Sequence, residues 1–203
     1  MRVSQQTKRA TIKRIRDAAR RLFLQHGFES TTTRDIATAA GIANGTLFNY
    51  YPSKEVLAMS FIEDAMGASA EAFLANQRGD ESLVEDLFAF ILANLRELQP
   101  YRGFVTAVLE TTMSPFAQGS TPSEAARLGH LEHVDQLLAQ HGYMHVPKFV
   151  FVNMYWSLFT GMLSFWSRDA SERQQETLAL VDYATRLFVQ TMAGTAPKKG
   201  ALS

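Results

Sequence analysis

The sequence predicts an all-α protein of about nine helices, a three-helix head at the N-terminus followed by a larger helical body. Three observations carry this. Apolar residues recur at steps of three and four in segment after segment. Ser, Thr, Pro and Gly stand where helices should begin and end. No alternating apolar–polar run bounded by turn residues occurs, so no strand is predicted.

Taken in order, the first helix is expected from about Thr7 to Gln25, burying Ile12, Ile15, Ala19, Leu22 and Phe23 on one face, with Gly27 just past its end. Thr32 caps the second, with Asp35 completing an acidic capping box; the helix buries Ile36, Ala37 and Ala40 and is broken by Gly41. A third runs from about Ala43 to Tyr51 and offers Leu47, Phe48 and Tyr51 for packing. Pro52 and Ser53 start a long fourth helix reaching about Asn76, whose apolar residues include Val56, Leu57, Phe61, Ile62, Ala65, Met66, Ala72 and Phe73.

In the body, Ser82 and Glu85 form a capping box for a helix to about Leu98. Pro100 opens the next, with Tyr101, Phe104, Val105, Val108 and Leu109 on its apolar stripe. Ser114 to Ser120 reads as a loop, and Thr121, Pro122 and Glu124 start a helix ending near Gly142. Pro147 opens a helix carrying seven aromatics, Phe149, Phe151, Tyr155, Trp156, Phe159, Phe165 and Trp166, for which a partner subunit is the expected cover. A last helix is expected from about Ser171 to Met192, and the tail from Gly194 to fray.

Composition excludes some chemistry. The chain has no cysteine, so disulfides, thiolate metal sites and cysteine nucleophiles are out. No apolar secretory core opens the chain, so a cytoplasmic home is expected. From Phe149 to Ser167 no side chain is charged, near the length of a membrane span. Yet Asn153, Ser157, Thr160 and Ser164 lay a polar stripe on one face, so a buried helix is expected, and no membrane partner. The formal net charge of zero hides an asymmetry. Residues 1–54 hold ten Lys/Arg and three acids, a balance of +7, which leaves −7 for the rest. A cationic head on an anionic body points to a polyanionic partner, although a solvated basic helix gives the same count.

Residues 32–51 read as a unit: short helix, glycine turn, short helix, behind a basic helix. This is the layout of a helix-turn-helix, and plain helical packing remains an alternative at this level. One face of the second short helix must pack; the other must present small and polar groups. Asn44, Gly45, Thr46 and Asn49 suit a groove: Gly permits close approach, Asn pairs with an adenine edge, and Thr meets a thymine methyl or a phosphate.

These residues carry a family resemblance. Thr31 to Ala37, Ala40-Gly41-Ile42, Gly45-Thr46-Leu47-Phe48 and Tyr50-Tyr51-Pro52-Ser53-Lys54-Glu55 resemble the N-terminal signature of the TetR/AcrR regulators, and the likeness runs over about residues 8–62. It implies a helix-turn-helix DNA-binding domain over residues 1–54 and a ligand-binding and dimerisation domain over residues 55–203. It implies that Arg34 reaches a base edge or phosphate, that Thr32 and Thr33 meet phosphate, and that Asn44, Gly45, Thr46 and Asn49 face the major groove. Tyr50 would bond a phosphate and Lys54 would clamp the backbone. Two residues depart from the pattern: Ala43 replaces a capping residue, and Phe48 replaces a tyrosine whose hydroxyl meets phosphate. Lys8 and Arg9 either add a contact from the N-terminal arm or are simply solvated.

The resemblance further implies a homodimer through about residues 147–192 that holds two reading heads on a palindromic double-stranded operator. A small-molecule effector, apolar or aromatic, is expected to release it, with Phe61, Met66, Phe88, Leu92, Phe104, Val108, Met113, Phe116 and Trp156 as candidate liners, each of which is equally a core residue. Glu110 reads as one of a solvated row with Arg102 and Thr106. His130, His133, His141 and His145 show no metal-binding motif, and neither a metal nor another cofactor is expected. No phosphate loop, nucleophile elbow or zinc helix is present, so no catalytic residue is assigned. The expectation is thus a ligand-responsive repressor; the rival readings are a helical ligand-binding dimer and an activator.

Overall fold

The computed structural model describes residues 5–112, 122–143 and 146–194. Among them the chain forms helices and turns, with no strand. In order these are α1 (Gln5–His26), α2 (Thr33–Ala39), α3 (Asn44–Phe48), α4 (Lys54–Asn76), α5 (Leu83–Leu98), α6 (Arg102–Thr112), α7 (Pro122–Gln140), α8 (Lys148–Arg168) and α9 (Gln175–Gly194). The Ser114–Ser120 loop, the Thr121 cap, Met113, Phe116, His145 and the tail after Gly194 lie outside the described residues, as does the side chain of Glu110.

Local chemistry sets most boundaries as expected. Thr32 and Asp35 form a full capping box at α2, and Ser82 and Glu85 form one at α5. Gly27 takes φ +84° past α1, where a side chain would be strained. Three boundaries differ. α3 stops at Phe48, a five-residue helix with no side-chain cap at Ala43. Pro100 lies in a 3₁₀ turn, Gln99–Tyr101, so α6 starts at Arg102. The last helix starts at Gln175, because Arg173 and Gln174 hold φ of +52° and +56° and the helix cannot run through them.

The described residues fall into two compact units. One comprises the chain up to Asp64 together with Pro100–Glu124; the other comprises Ala65–Gln99 and the chain from Ala125. α4 leaves the first unit at Asp64 and continues in the second.

In the first unit α1 packs on α2, and α2 on α3, around Ile15, Ala19, Phe23, Ile36, Leu47 and Leu57. α6 belongs to this unit through aromatic rings. Phe104 lies edge-on to Phe23 at 5.5 Å and stacks on Phe28 at 5.5 Å, while Tyr101 stacks on Phe61 at 5.8 Å.

In the second unit α9 packs against both α5 and α8. Five of the seven α8 aromatics, Phe151, Tyr155, Trp156, Phe159 and Trp166, are buried inside this chain. That corrects the expectation that a partner covers the aromatic helix: α5, α7 and α9 supply enough interior, and Phe149 and Phe165 alone of the seven stay exposed. α8 meets the length and composition of a membrane span, and its apolar side faces this core. The α8–α9 corner is tied by Asp169, whose carboxylate accepts from the Ser171 and Thr177 amides (2.8 and 2.9 Å) and the Thr177 hydroxyl (2.5 Å). These bonds hold its pKa well below the usual carboxylate range.

Candidate nucleic-acid interface

The turn between α2 and α3 fixes the candidate reading helix. The Ile42 amide donates to the Ala37 carbonyl (3.0 Å) and the Gly41 amide to the Thr38 carbonyl (3.1 Å), the paired bonds of a Schellman stop. Gly41 sits at φ +65° between them, a conformation that favours glycine. At the other end of α2, the Thr32 hydroxyl donates to Asp35 Oδ2 (2.6 Å) and accepts from the Asp35 amide (3.2 Å), while the Thr32 amide donates to the same carboxylate (2.9 Å). The Thr32 bonds, side chain first, lower the Asp35 pKa.

On α3 only Leu47 is fully buried. Gly45 is exposed, as is Asn49 at its C-terminal cap. Phe48 is 46% exposed, which corrects its assignment as a packing residue. In so short a helix Leu47 alone points into the core, and the next side chain turns to solvent. Thr46 and Asn44 are half-buried. The Asn44 Oδ1 is shielded from solvent and has no partner among the described residues, so Asn44 offers less than a full amide edge to a groove.

The other expected contacts divide by what already holds them. Arg34 is exposed and Thr33 and Tyr50 are half-buried. Lys54 Nζ donates to the Phe28 carbonyl (2.8 Å) and lies 4.2 Å from the centre of the Phe28 ring. It joins the start of α4 to the turn after α1. Two cations of the head are also spent internally. Arg16 reaches Ser60 (2.5 Å) and Asp64 across the Phe61 face, and Arg20 reaches the Tyr101 hydroxyl. Lys8, Arg9, Lys13, Arg14, Arg21 and Arg34 remain exposed. The charge count could not separate these two groups, because their partners lie far along the chain.

Seven of the nine candidate effector liners fall within the described residues. Phe61, Phe104 and Val108 are buried in the first unit; Met66 and Trp156 are buried in the second, where Phe88 and Leu92 are half-buried. His130, His133 and His141 lie in the second unit with other partners. His130 stacks on Phe90 and lies tilted against Phe159, His133 Nδ1 lies 2.8 Å from the Gly129 carbonyl, and His141 pairs with Asp86 at 2.7 Å. No group of three or more potential metal ligands occurs among the described residues.

Comparison with known proteins gives this geometry a context. The description "Bacterial regulatory proteins, tetR family" matches residues 15–60, and "Tetracyclin repressor-like, C-terminal domain" matches residues 87–201. A Mycobacterium tuberculosis transcriptional regulator named for mycofactocin biosynthesis is 30% identical over 171 residues, covering 81% of this chain and 83% of its own. The repressor KstR2 of Rhodococcus jostii is 41% identical over 59 residues, 27% of this chain and 29% of its own. Among solved structures, the TetR-type repressor FadR of Thermus thermophilus, in complex with lauroyl-CoA, shares the fold with a TM-score of 0.70 at 19% identity, covering 95% of this chain and 98% of its own.

Proposed function

The chain belongs to the tetR family of bacterial regulatory proteins, and on that premise we propose that it is a ligand-responsive repressor that binds a palindromic operator as a homodimer. The observation that carries the reading is the exposed Gly45–Phe48–Asn49 face, held by a capped α2 and a Schellman turn in the same unit as six exposed cations. Asn49, exposed at the end of α3, reads a base edge in this proposal. Arg34 and the α1 cations fit phosphate, together with the Thr33 and Tyr50 hydroxyls and the α2 amides. Thr32 and Lys54 act first as internal ties and meet phosphate only through their remaining hydrogen-bonding capacity.

Support for a homodimer through about residues 147–192 comes from the outer faces of α8 and α9. There Phe149 (72% exposed), Phe165, Tyr183 (70%) and Leu187 (48%) stand in solvent, with exposed Gly161 on α8 allowing close helix approach. A cytoplasmic regulator fits this composition. By function the chain divides into a DNA-binding head over residues 1–54 and an effector-binding, dimerising body over residues 55–203, with residues 55–64 and 100–124 of the body belonging to the same compact unit as the head. Release by a small apolar or aromatic molecule follows if that molecule prefers the body in a conformation whose heads no longer match the operator spacing.

The test is a gel-shift titration on the duplex upstream of the protein's own coding region, repeated across salt concentrations. Binding should weaken steeply with salt as phosphate contacts release counterions. Arg34→Ala should weaken all duplexes and reduce the salt slope by about one, while Asn49→Ala should relax preference at one position. Equal affinity for that duplex and for random DNA would reject the operator reading.

A further inference from the structure

The second unit buries two polar atoms that have no hydrogen-bond partner among the described residues. Asn94 is fully buried on α5; its amide nitrogen donates to the Phe90 carbonyl (2.9 Å), and its Oδ1 has no partner among the described residues. His130 on α7 is buried as well. Its Nε2 shares a 3.0 Å hydrogen bond with the Tyr155 hydroxyl, and its Nδ1 has no partner among the described residues. Both side chains border Phe90: the His130 ring stacks on the Phe90 ring at 4.8 Å, and Asn94 lies one turn further along α5. Trp156 and Phe159 close the histidine from α8, at 5.9 and 4.2 Å.

Unsatisfied polar atoms in an apolar, aromatic setting oppose folding, and a native interior keeps them where a water or a ligand completes the bonds. Resting on the reading of this unit as the effector-binding body, we propose that Asn94 and His130 form the polar end of the effector site, and that the effector is a neutral, hydroxyl-bearing aromatic or alicyclic molecule.

The bonding inventory selects that class. With its NH₂ turned to the Phe90 carbonyl, Asn94 presents an acceptor and therefore asks for an O–H or N–H donor. His130 Nδ1 donates or accepts according to which way the Tyr155 hydroxyl points, so it serves either side of a hydroxyl group. Among the described residues no lysine or arginine is buried to neutralise an anion. The buried Asp86 is already committed, with Gln77 on one oxygen and His141 on the other, and Asp169 is tied to Ser171 and Thr177. A carboxylate would also face the Asn94 oxygen with nothing to donate. Neither Asn94 nor His130 lines the neighbouring cavity of about 10 Å³, room for one water, which lies on the Tyr155 side among Leu87, Ile91, Met162 and Phe188. An effector therefore has to displace core side chains, which couples its binding to the conformation of the body.

Thermal shift and calorimetric titration of the full chain separate the outcomes, with 1-naphthol as probe, 1-methylnaphthalene as its donor-free isostere, and 1-naphthoate and lauroyl-CoA as anionic comparators. The expected result is that 1-naphthol raises the melting temperature more than any of the other three. Asn94→Leu and His130→Phe should each weaken 1-naphthol about tenfold and leave 1-methylnaphthalene unchanged. Since a core variant can fail to fold, the wild-type protein with ¹⁵N-labelled histidine supplies a second readout, in which the His130 Nδ1 resonance moves on adding 1-naphthol. Equal response to 1-naphthol and its isostere, no response to either, stronger binding of an anion, or a silent His130 resonance each overturns the proposal and leaves two ordered waters as the occupants. DNA binding plays no part in these measurements, so a failed gel shift and a failed titration are distinguishable.

Discussion

The two units bury their polar groups to different depths. In the first, Thr32 and Asp35 satisfy one another, Gly41 closes α2 with two backbone bonds, and the cations without internal partners face solvent. The first also holds an unmet atom on each of half-buried Asn44 and Glu63, while in the second Asn94 and His130 are fully enclosed with one unmet atom each. A surface that grips a solvated polyanion needs its polar groups outside and its backbone held stiffly. A site that selects a small molecule needs a few polar groups withdrawn from water. The depth at which unmet hydrogen bonds are held, and not their number, thus distinguishes the two units.

The sharpest way to break this comparison is to damage each core and ask which property follows. Phe104→Ala, in the aromatic cluster of the first unit, should destabilise by about 3–5 kcal/mol, and Phe159→Ala in the second by a similar amount. Urea unfolding followed together with DNA binding should show Phe104→Ala removing binding at lower denaturant than Phe159→Ala does. Coincident loss in both variants would mean that the units unfold as one.

The next effect is electrostatic. Burial, helped by the nearby His133, pushes the His130 pKa down to about 3 from an ordinary 6.5. The folded imidazole therefore stays neutral while the unfolded one takes up a proton below pH 6.5. The contribution is complete above that pH and is lost as pH falls toward 3, at a slope approaching about 1.4 kcal/mol per pH unit. Denaturation midpoints between pH 6.5 and 4.5 should show this slope in the wild type and a shallower one in His130→Phe. Identical slopes would place the histidine in contact with water.

Smaller effects sharpen the picture of the head. Thr32→Ala removes the α2 cap and should cost about 1 kcal/mol, with weaker DNA binding from a looser α2–α3 corner. Ala43→Ser supplies the side-chain cap that α3 lacks and should gain about 0.5 kcal/mol, read as a higher melting temperature.

What the sequence revealed tracks the range of the interactions. The α2 cap, the Gly41 stop and the α5 capping box rest on residues three to five apart, so the pattern of Thr, Asp, Ser, Glu and Gly exposed them directly. Phe48 was misread because α3 is too short to display a period; an aromatic after Leu47 looks like core until the helix is seen to end there. Arg16 and Arg20 counted as cations of the head, and their partners at Ser60, Asp64 and Tyr101 come from distant segments. His130 drew notice only as a metal candidate. Its environment is assembled from α5, α7 and α8, and no spacing within one segment encodes that.

The membership of α6 in the first unit has an evolutionary and practical consequence. Phe23, Phe28 and Phe61 form a socket that Tyr101 and Phe104 fill from some forty residues beyond Phe61. A fragment cut after α4 would leave that socket open and prone to clump. A chimera that transplants the reading head onto another body has to carry the α6 plug with it, or find an equivalent one there. The first unit is inherited as two pieces of chain, and changes in one restrict what the other can become.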